Sequence, residues 1–286
     1  MRRLTIVGCG DIGVRIAEKL KHKYRIFGLA RRFNQAALLR SQGVVPIMGD
    51  LDDARTLDRI SGISEDVLHL APPQPTGQCD NRTSNLIACL KKKCMLPQRL
   101  VYISTSGVYG DASGKVVSEI HRTMPNSARA KRRLSAEKNL RKFGQDMGVS
   151  VSILRVPGIY SKDRLPIDRL LDETPMILKH QDSYTNHIHV VDLVNIIIAT
   201  FNTGRIGRIY NVSDDSKLRI GDYFDVVAEH KGLKKPVRIS KEKARVKIPA
   251  QLFSFINESR IIDNSRMKRE LGIILKYPTV EEGISH

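Results

Sequence analysis

No stretch of this 286-residue chain approaches the ~18 consecutive apolar residues of a membrane-spanning helix, which excludes a membrane span of that kind. The first residues enter a strand pattern at once and leave no room for a signal peptide, so the expected location is the cytoplasm. Cysteine is scarce. Cys9, Cys79, Cys89 and Cys94 offer no second pair at metal spacing, and they read as free thiols rather than a disulfide frame or a zinc site. Acidic residues are also few: 30 against 48 basic ones, for a net charge of +18. The excess is spread along the chain, with small clusters at Lys91-Lys92-Lys93 and Lys131-Arg132-Arg133. A solvated basic surface explains it better than a nucleic-acid face does, and it suits a small anionic substrate.

What is present begins with Gly8-Cys9-Gly10-Asp11-Ile12-Gly13. The apolar run Leu4-Thr5-Ile6-Val7 precedes it and the amphipathic stretch Val14 to Leu20 follows. Strand, glycine turn and helix form the context in which G-x-G-x-x-G points to a dinucleotide site. Gly8 allows the tight turn, Gly10 lets a pyrophosphate approach the backbone, and Gly13 lets the helix lie close to the strand. The N–H groups that open the helix, including those near Asp11 and Ile12, then face the phosphates.

Strand and helix patterns alternate through the first two hundred residues. Strands are expected at Tyr24 to Ala30, Val44 to Met48, Asp66 to Leu70, Arg99 to Ile103 and Val151 to Arg155. Helices are expected near 34–41, 54–60, 81–93 and 128–143. Near-continuous apolar strands separated by helices imply a parallel sheet covered on both faces, hence an α/β doubly wound (Rossmann) fold. The expected division is a dinucleotide-binding core over 1–157, then 158–286. The latter holds remaining core elements near 186–212 and a small C-terminal substrate lobe. A helix is expected from Asp192 to Phe201, with Asp192 capping its start.

An NAD site of this type carries an acid at the end of the second strand, bonded to the ribose 2′-OH. Here Ala30-Arg31-Arg32 stands in that place. An acid would repel a 2′-phosphate, whereas a guanidinium pairs with it through two parallel bonds. NADP is therefore the first choice of cofactor and NAD the alternative, with Arg31 better placed than Arg32. Asp50 and Leu51 are expected to border the adenine, and Ala71 and Pro72 to line the crevice outside the strand ends.

Three further segments carry a resemblance. Tyr102-Ile103-Ser104-Thr105-Ser106-Gly107-Val108-Tyr109-Gly110-Asp111 resembles the Ser/Thr-containing strand end of extended short-chain dehydrogenases/reductases, the NAD-dependent epimerase/dehydratase family. Ile153-Leu154-Arg155-Val156-Pro157-Gly158-Ile159-Tyr160 and Ile188-His189-Val190-Val191-Asp192-Leu193 resemble its next two signatures. Ile261-Ile262-Asp263-Asn264-Ser265-Arg266 is similar to an atypical bacterial subgroup. The resemblance implies that Thr105, four residues before Tyr109, hydrogen-bonds the reacting oxygen. It also assigns Pro157 to the cofactor site. Ser106 is expected on the other side if the strand continues. The alternative for Thr105 is a hydroxyl that satisfies local backbone.

The chain departs from the family at its Tyr-x-x-x-Lys pair. Leu134-Ser135-Ala136-Glu137 resembles the segment after the lysine, which puts Arg129 at the tyrosine position and Arg133 at the lysine position. No tyrosine lies between Tyr109 and Tyr160. Arginine stays protonated and cannot shuttle a proton near neutrality. Arg133 can still hold a ribose or phosphate, and Arg129 a substrate anion; alternatively both are exposed helix charges. Tyr160, Tyr184, His187 and His189 are the other groups that could move a proton. Two functions follow. One is an oxidoreductase or epimerase that transfers hydride on an anionic or nucleotide-linked substrate. The other is a non-catalytic NADP(H)-binding sensor or assembly factor.

Overall fold

The computed structural model describes residues 1–285. The strands, in chain order, are β1 (Arg2–Val7), β2 (Tyr24–Ala30), β3 (Val45–Met48), β4 (Asp66–His69), β5 (Arg99–Thr105), β6 (Val116–Val117) and β7 (Ser150–Val156). They continue with β8 (Gly158–Tyr160), β9 (Met176–Ile177), β10 (His187–His189), β11 (Ile209–Asn211), β12 (Arg238–Ile239) and β13 (Ile261–Ile262). The helices used below are α1 (Asp11–Leu20), α2 (Phe33–Ser41), α3 (Asn81–Leu90), α4 (Ala128–Met147), α5 (Ile167–Leu171), α6 (Val190–Thr203) and α7 (Ile220–Lys231).

The chain forms two compact units that interleave in sequence. The first comprises Met1–Thr105, Ala128–Arg155 and Val194–Tyr210; the second comprises Ser106–Ser127, Val156–Leu193 and the chain from Asn211 onward. A single cut after Pro157 therefore does not describe them, because the segment after β5 joins the second unit before α4 returns to the first.

The central sheet is parallel and runs β11-β7-β5-β4-β1-β2-β3. Strands β1, β2, β5 and β7 are mostly buried, as the unbroken apolar runs predict for a sheet covered on both faces, while β3 at the edge is largely exposed or half-buried. The doubly wound fold expected from the alternation is the one that forms. In α1 the buried residues are Gly13, Ile16, Ala17 and Leu20, the i, i+3, i+4, i+7 stripe of a helix lying on a sheet. The expected helix at 54–60 is a 3-10 turn, Ala54–Ile60, whose Asp53 carboxylate accepts the Arg55 N–H.

A buried ion pair anchors α4 to the sheet within the first unit. Glu137 accepts two bonds from Arg155 of β7, at 2.7 and 3.1 Å, and one from the Ser104 hydroxyl of β5 at 2.5 Å. Both ionic side chains are at most 4% exposed.

The second unit is built from three two-stranded parallel ladders, β8–β10, β9–β12 and β6–β13. Its own core gathers Tyr160, Met176, Ile177, Phe224, Val227 and Val280. One expectation is corrected here. The α6 helix begins at Val190, so Asp192 lies in its first turn and is not its cap. The Asp192 carboxylate instead accepts the backbone N–H groups of Lys276 and Tyr277, at 2.8 and 2.9 Å. A long-range pair of donors outcompeted the local cap. No helix among the described residues is long and apolar enough to cross a membrane.

Removing one partner of the Glu137–Arg155 pair strands the other charge in the core. Glu137→Ala is expected to cost about 3–5 kcal/mol, read from the urea midpoint. The double variant Glu137→Met/Arg155→Met is expected to cost clearly less, because no charge is left buried.

Candidate functional site

In the first unit the crevice is built at the C-terminal ends of β1, β2, β3 and β4. Gly8 has φ of +92°, a conformation that favours glycine. A Cβ there would lie 2.5 Å from the Ala71 nitrogen, so the turn runs directly against the end of β4. Leu70 and Ala71 both donate to the Val7 carbonyl, at 2.8 and 3.0 Å, and fix that approach. Gly10 is the opposite case. It is the residue before α1, and a Cβ built on it meets nothing within 4 Å. Open space thus lies over the first-turn N–H groups, a cradle that an anionic group such as a pyrophosphate fits. Gly13 packs tightly, its Cβ position lying 3.2 Å from Ile6 and Cys9 side-chain atoms. The Asp11 carboxylate turns to Arg15 at 2.9 Å, which offsets its negative charge beside the cradle.

Arg31 follows β2 and lines an open groove of about 520 Å³ with Met48, Gly49, Asp50, Arg55 and Arg59. Arg32 is exposed and precedes α2. Asp50 is half-buried, and Leu51 is buried with its carbonyl held by Asn85 of α3 at 2.8 Å. Ala71 is buried and Pro72 exposed. Arg82 of α3 spans this end of the crevice. It grips Asp52 through two bonds, at 2.7 and 2.6 Å, and donates to the Pro72 carbonyl at 3.1 Å. Sequence reasoning missed Arg82, because its partner lies thirty positions away and no local pattern joins them.

Thr105 ends β5 and is half-buried. Ser104, which bonds Glu137, projects to the opposite face. The strand stops there, and Ser106 opens a 3-10 turn, Ser106–Tyr109, so the alternation expected to carry on to Ser106 does not. Arg129 is exposed on α4. Arg133 is half-buried, and its Nη1 donates to the carbonyls of Ile103 at 2.9 Å and Ala71 at 3.3 Å, and meets the Tyr102 hydroxyl at 3.1 Å. This permanent cation binds together the ends of β4 and β5. Its field, after burial, is the second influence that lowers His69, whose pKa falls to about 3. Burial pushes the Tyr102 phenol up to about 12, with Arg133 opposing.

In the second unit, a cavity of about 320 Å³ is lined by polar groups, among them Arg164, Asp168, Arg169, Thr185 and His187, and by apolar ones that include Phe224 and Ile256. His187 stacks on Tyr223 with ring centroids 4.0 Å apart, and burial lowers its pKa to about 3. His189 sits between Tyr160 and Tyr277, with centroids at 5.2 and 4.1 Å. Both rings are thus enclosed by aromatic rings, and no group of three metal-binding side chains occurs among the described residues. The Tyr160 hydroxyl donates to the Thr279 carbonyl, and burial raises its pKa far above the ordinary range. Tyr184 forms a cation–π contact with Arg219 at 4.9 Å. Asp214 is the unexpected group. Its carboxyl is buried and pushed up to about 8, with one oxygen accepting the Ser216 N–H at 3.0 Å. Pro157 is half-buried at the start of this unit's second segment.

The sheet order and the glycine turn define a Rossmann-type α/β protein. Residues 4–213 match the model of the NAD dependent epimerase/dehydratase family, so the chain belongs to that family. It is 25% identical over 288 residues to Protein YeeZ of Escherichia coli (strain K12), with 97% of each chain covered. A functionally unknown conserved protein from Silicibacter pomeroyi DSS superposes with a TM-score of 0.84 at 26% identity, over 100% of this chain and 97% of that one. UDP-glucuronic acid 4-epimerase from Bacillus cereus, in complex with NAD, superposes with a TM-score of 0.77 at 19% identity, covering 99% and 96%. That likeness is one of fold.

Asp214, His69 and His187 are the groups named above whose shifts act between about pH 4 and 8, and they shape the pH dependence of stability there. Between pH 6.5 and 8 the folded protein holds a proton on Asp214 that the unfolded chain has lost, so stability falls as pH rises. Below 6.5 the unfolded chain protonates His69 and His187 while the folded rings stay neutral. Two histidines outweigh one aspartate, so stability then falls as pH falls. Maximum stability is expected near pH 6.5, with limbs of about 1.4 kcal/mol per pH unit, measured by urea titration at several pH values. Asp214→Asn is expected to flatten the alkaline limb and His69→Gln the acid one.

Proposed function

We propose that the protein binds NADP(H) in the crevice of its first unit and acts as an oxidoreductase or epimerase on a small anionic or nucleotide-linked substrate. The observation that carries the reading is the glycine turn: Gly8 seated against Ala71, and Gly10 open above the start of α1. Family membership and the NAD held by the B. cereus epimerase support the cofactor class. In this reading the backbone N–H groups of Asp11 and Ile12 receive the pyrophosphate, while Gly8 makes the turn, Gly10 leaves room for the approach and Gly13 seats the helix. Asp50 and Leu51 border the adenine, and Ala71 and Pro72 line the remaining length. Arg31, with Arg32 beside it, takes the 2′-phosphate, which favours NADP over NAD. When bound, the nicotinamide supplies hydride chemistry. Thr105 donates a hydrogen bond that polarises the reacting oxygen.

A second reading is favoured by Arg133. Its bonds to Ala71, Tyr102 and Ile103 brace the strand ends, and an arginine moves no proton there. Tyr160 and His187 are also far from titrating near neutrality. A non-catalytic NADP(H)-binding sensor or assembly factor fits these facts. A substrate screen followed by nicotinamide absorbance separates the two. Under the first reading, turnover appears and falls by about 10²–10³ in Thr105→Ala, with cofactor affinity unchanged. Cofactor binding without turnover favours the second.

Cofactor binding is tested by calorimetry with NADPH and NADH. Arg31→Asp is expected to weaken NADPH binding about 10- to 100-fold more than NADH binding, from the loss of charge-assisted bonds. Equal loss would mean that Arg31 does not read the 2′-phosphate. Gly10→Ala is expected to fold, at a cost of up to about 1 kcal/mol at the helix start, yet to lose most affinity for both cofactors. Retained binding in that variant would reject the proposed cradle.

A further inference from the structure

Four carboxylates crowd the end of the crevice where β3 turns: Asp50, Asp52, Asp53 and Asp58. Each is a liability for an added phosphate, because like charges repel. Three of them are taken up by bases other than Arg31. Asp53 holds Arg55 through two bonds of 3.0 Å, and Asp58 holds Lys92 at 2.5 Å. Asp52 is held by the fork of Arg82, both carboxylate oxygens being engaged.

Asp52 matters most because it also feels Arg31. Its carboxyl is held below the usual range first by the Arg82 hydrogen bonds, and to a smaller extent by the charge of Arg31. Adjacent strands set Arg31 beside the start of the turn that carries Asp52: Ala30 of β2 pairs with Met48 of β3, and the Gly49 N–H donates to the Ala30 carbonyl. The competition between the two arginines is uneven. Arg82 projects from α3, is 15% exposed and is fixed by its third bond to Pro72. Arg31 is an exposed side chain on a loop. A preorganised two-bond fork prevails over an exposed single charge. Among the described residues the Arg31 guanidinium has neither hydrogen bond nor ion pair, and it faces the open groove.

We propose that Arg82 is a positioning residue for cofactor choice: by occupying both oxygens of Asp52 it keeps that carboxylate off Arg31, which stays available to a 2′-phosphate. The proposal rests on the NADP(H) reading. Without Arg82, Asp52 is released on a turn next to Arg31 and neutralises it.

The test is calorimetry at low ionic strength with NADPH and NADH, on wild type, Arg82→Gln, Asp52→Asn and the double variant. Arg82→Gln is expected to lower NADPH affinity about threefold to fivefold, the scale of an exposed ion pair, and to leave NADH affinity within about twofold. Asp52→Asn in the same chain is expected to restore NADPH binding to the wild-type value. Equal loss for both cofactors, or no rescue by Asp52→Asn, would mean that Arg82 only braces the turn, and would overturn the proposal while leaving the NADP(H) reading intact. A wild type that binds NADH at least as tightly as NADPH would overturn both. If Arg82→Gln does not fold, Arg82→Lys carries the same comparison, since it keeps a charge and loses the fork.

Discussion

The close approach of β1 and β4 at their C-terminal ends is the constraint on which the first unit depends. Gly8 turns against Ala71 with no room for a side chain, and the Val7 carbonyl receives two N–H groups from the β4 end. Arg133 extends the same junction to β5 by bonding Ala71 and Ile103 together. Three neighbouring strands are thus locked at the end where the candidate crevice opens. On the same face of β5, two residues on from Tyr102, Ser104 and Arg155 share Glu137, so Arg133 and Glu137, one turn apart on α4, both hold that strand end. A rigid floor of this kind positions groups more finely than a loop does.

Charge is arranged around that floor in pairs. Three of the four acids at the β3 turn meet a base, Asp52 with Arg82, Asp53 with Arg55 and Asp58 with Lys92. The net charge of +18 is therefore not a uniform coat. Local pairing takes up particular bases and leaves others, Arg31 among them, facing an open groove. Exposed pairs of this sort add little to stability, so their consequence lies in which charges remain unpaired.

Patterns confined to a few neighbouring residues were legible in the sequence. The glycine turn, the buried stripe of α1 and the apolar strands announced the doubly wound sheet because each is set by local geometry. What was not legible depends on distant partners. Asp192 looks like a helix cap by position, yet its carboxylate serves Lys276 and Tyr277. Arg82 reads as one more surface charge until Asp52 and Pro72 come to meet it. Arg133 reads equally well as a ligand or an exposed residue, and only the folded strand ends show its three acceptors. The division into units was hidden for the same reason, since the chain after β5 leaves the first unit and α4 brings it back.

The presence of arginine at position 133 has an electrostatic consequence that reaches beyond bracing. A lysine can lose its proton when buried; an arginine keeps its charge. The crevice floor therefore carries a fixed positive field. That field opposes protonation of His69 and moderates the rise in the Tyr102 pKa, so neither group is poised to exchange a proton near neutral pH. A fixed cation of this sort attracts and orients negative charge and cannot relay protons. The same residue that braces the strand ends thus supplies a fixed positive charge there and no proton relay of its own.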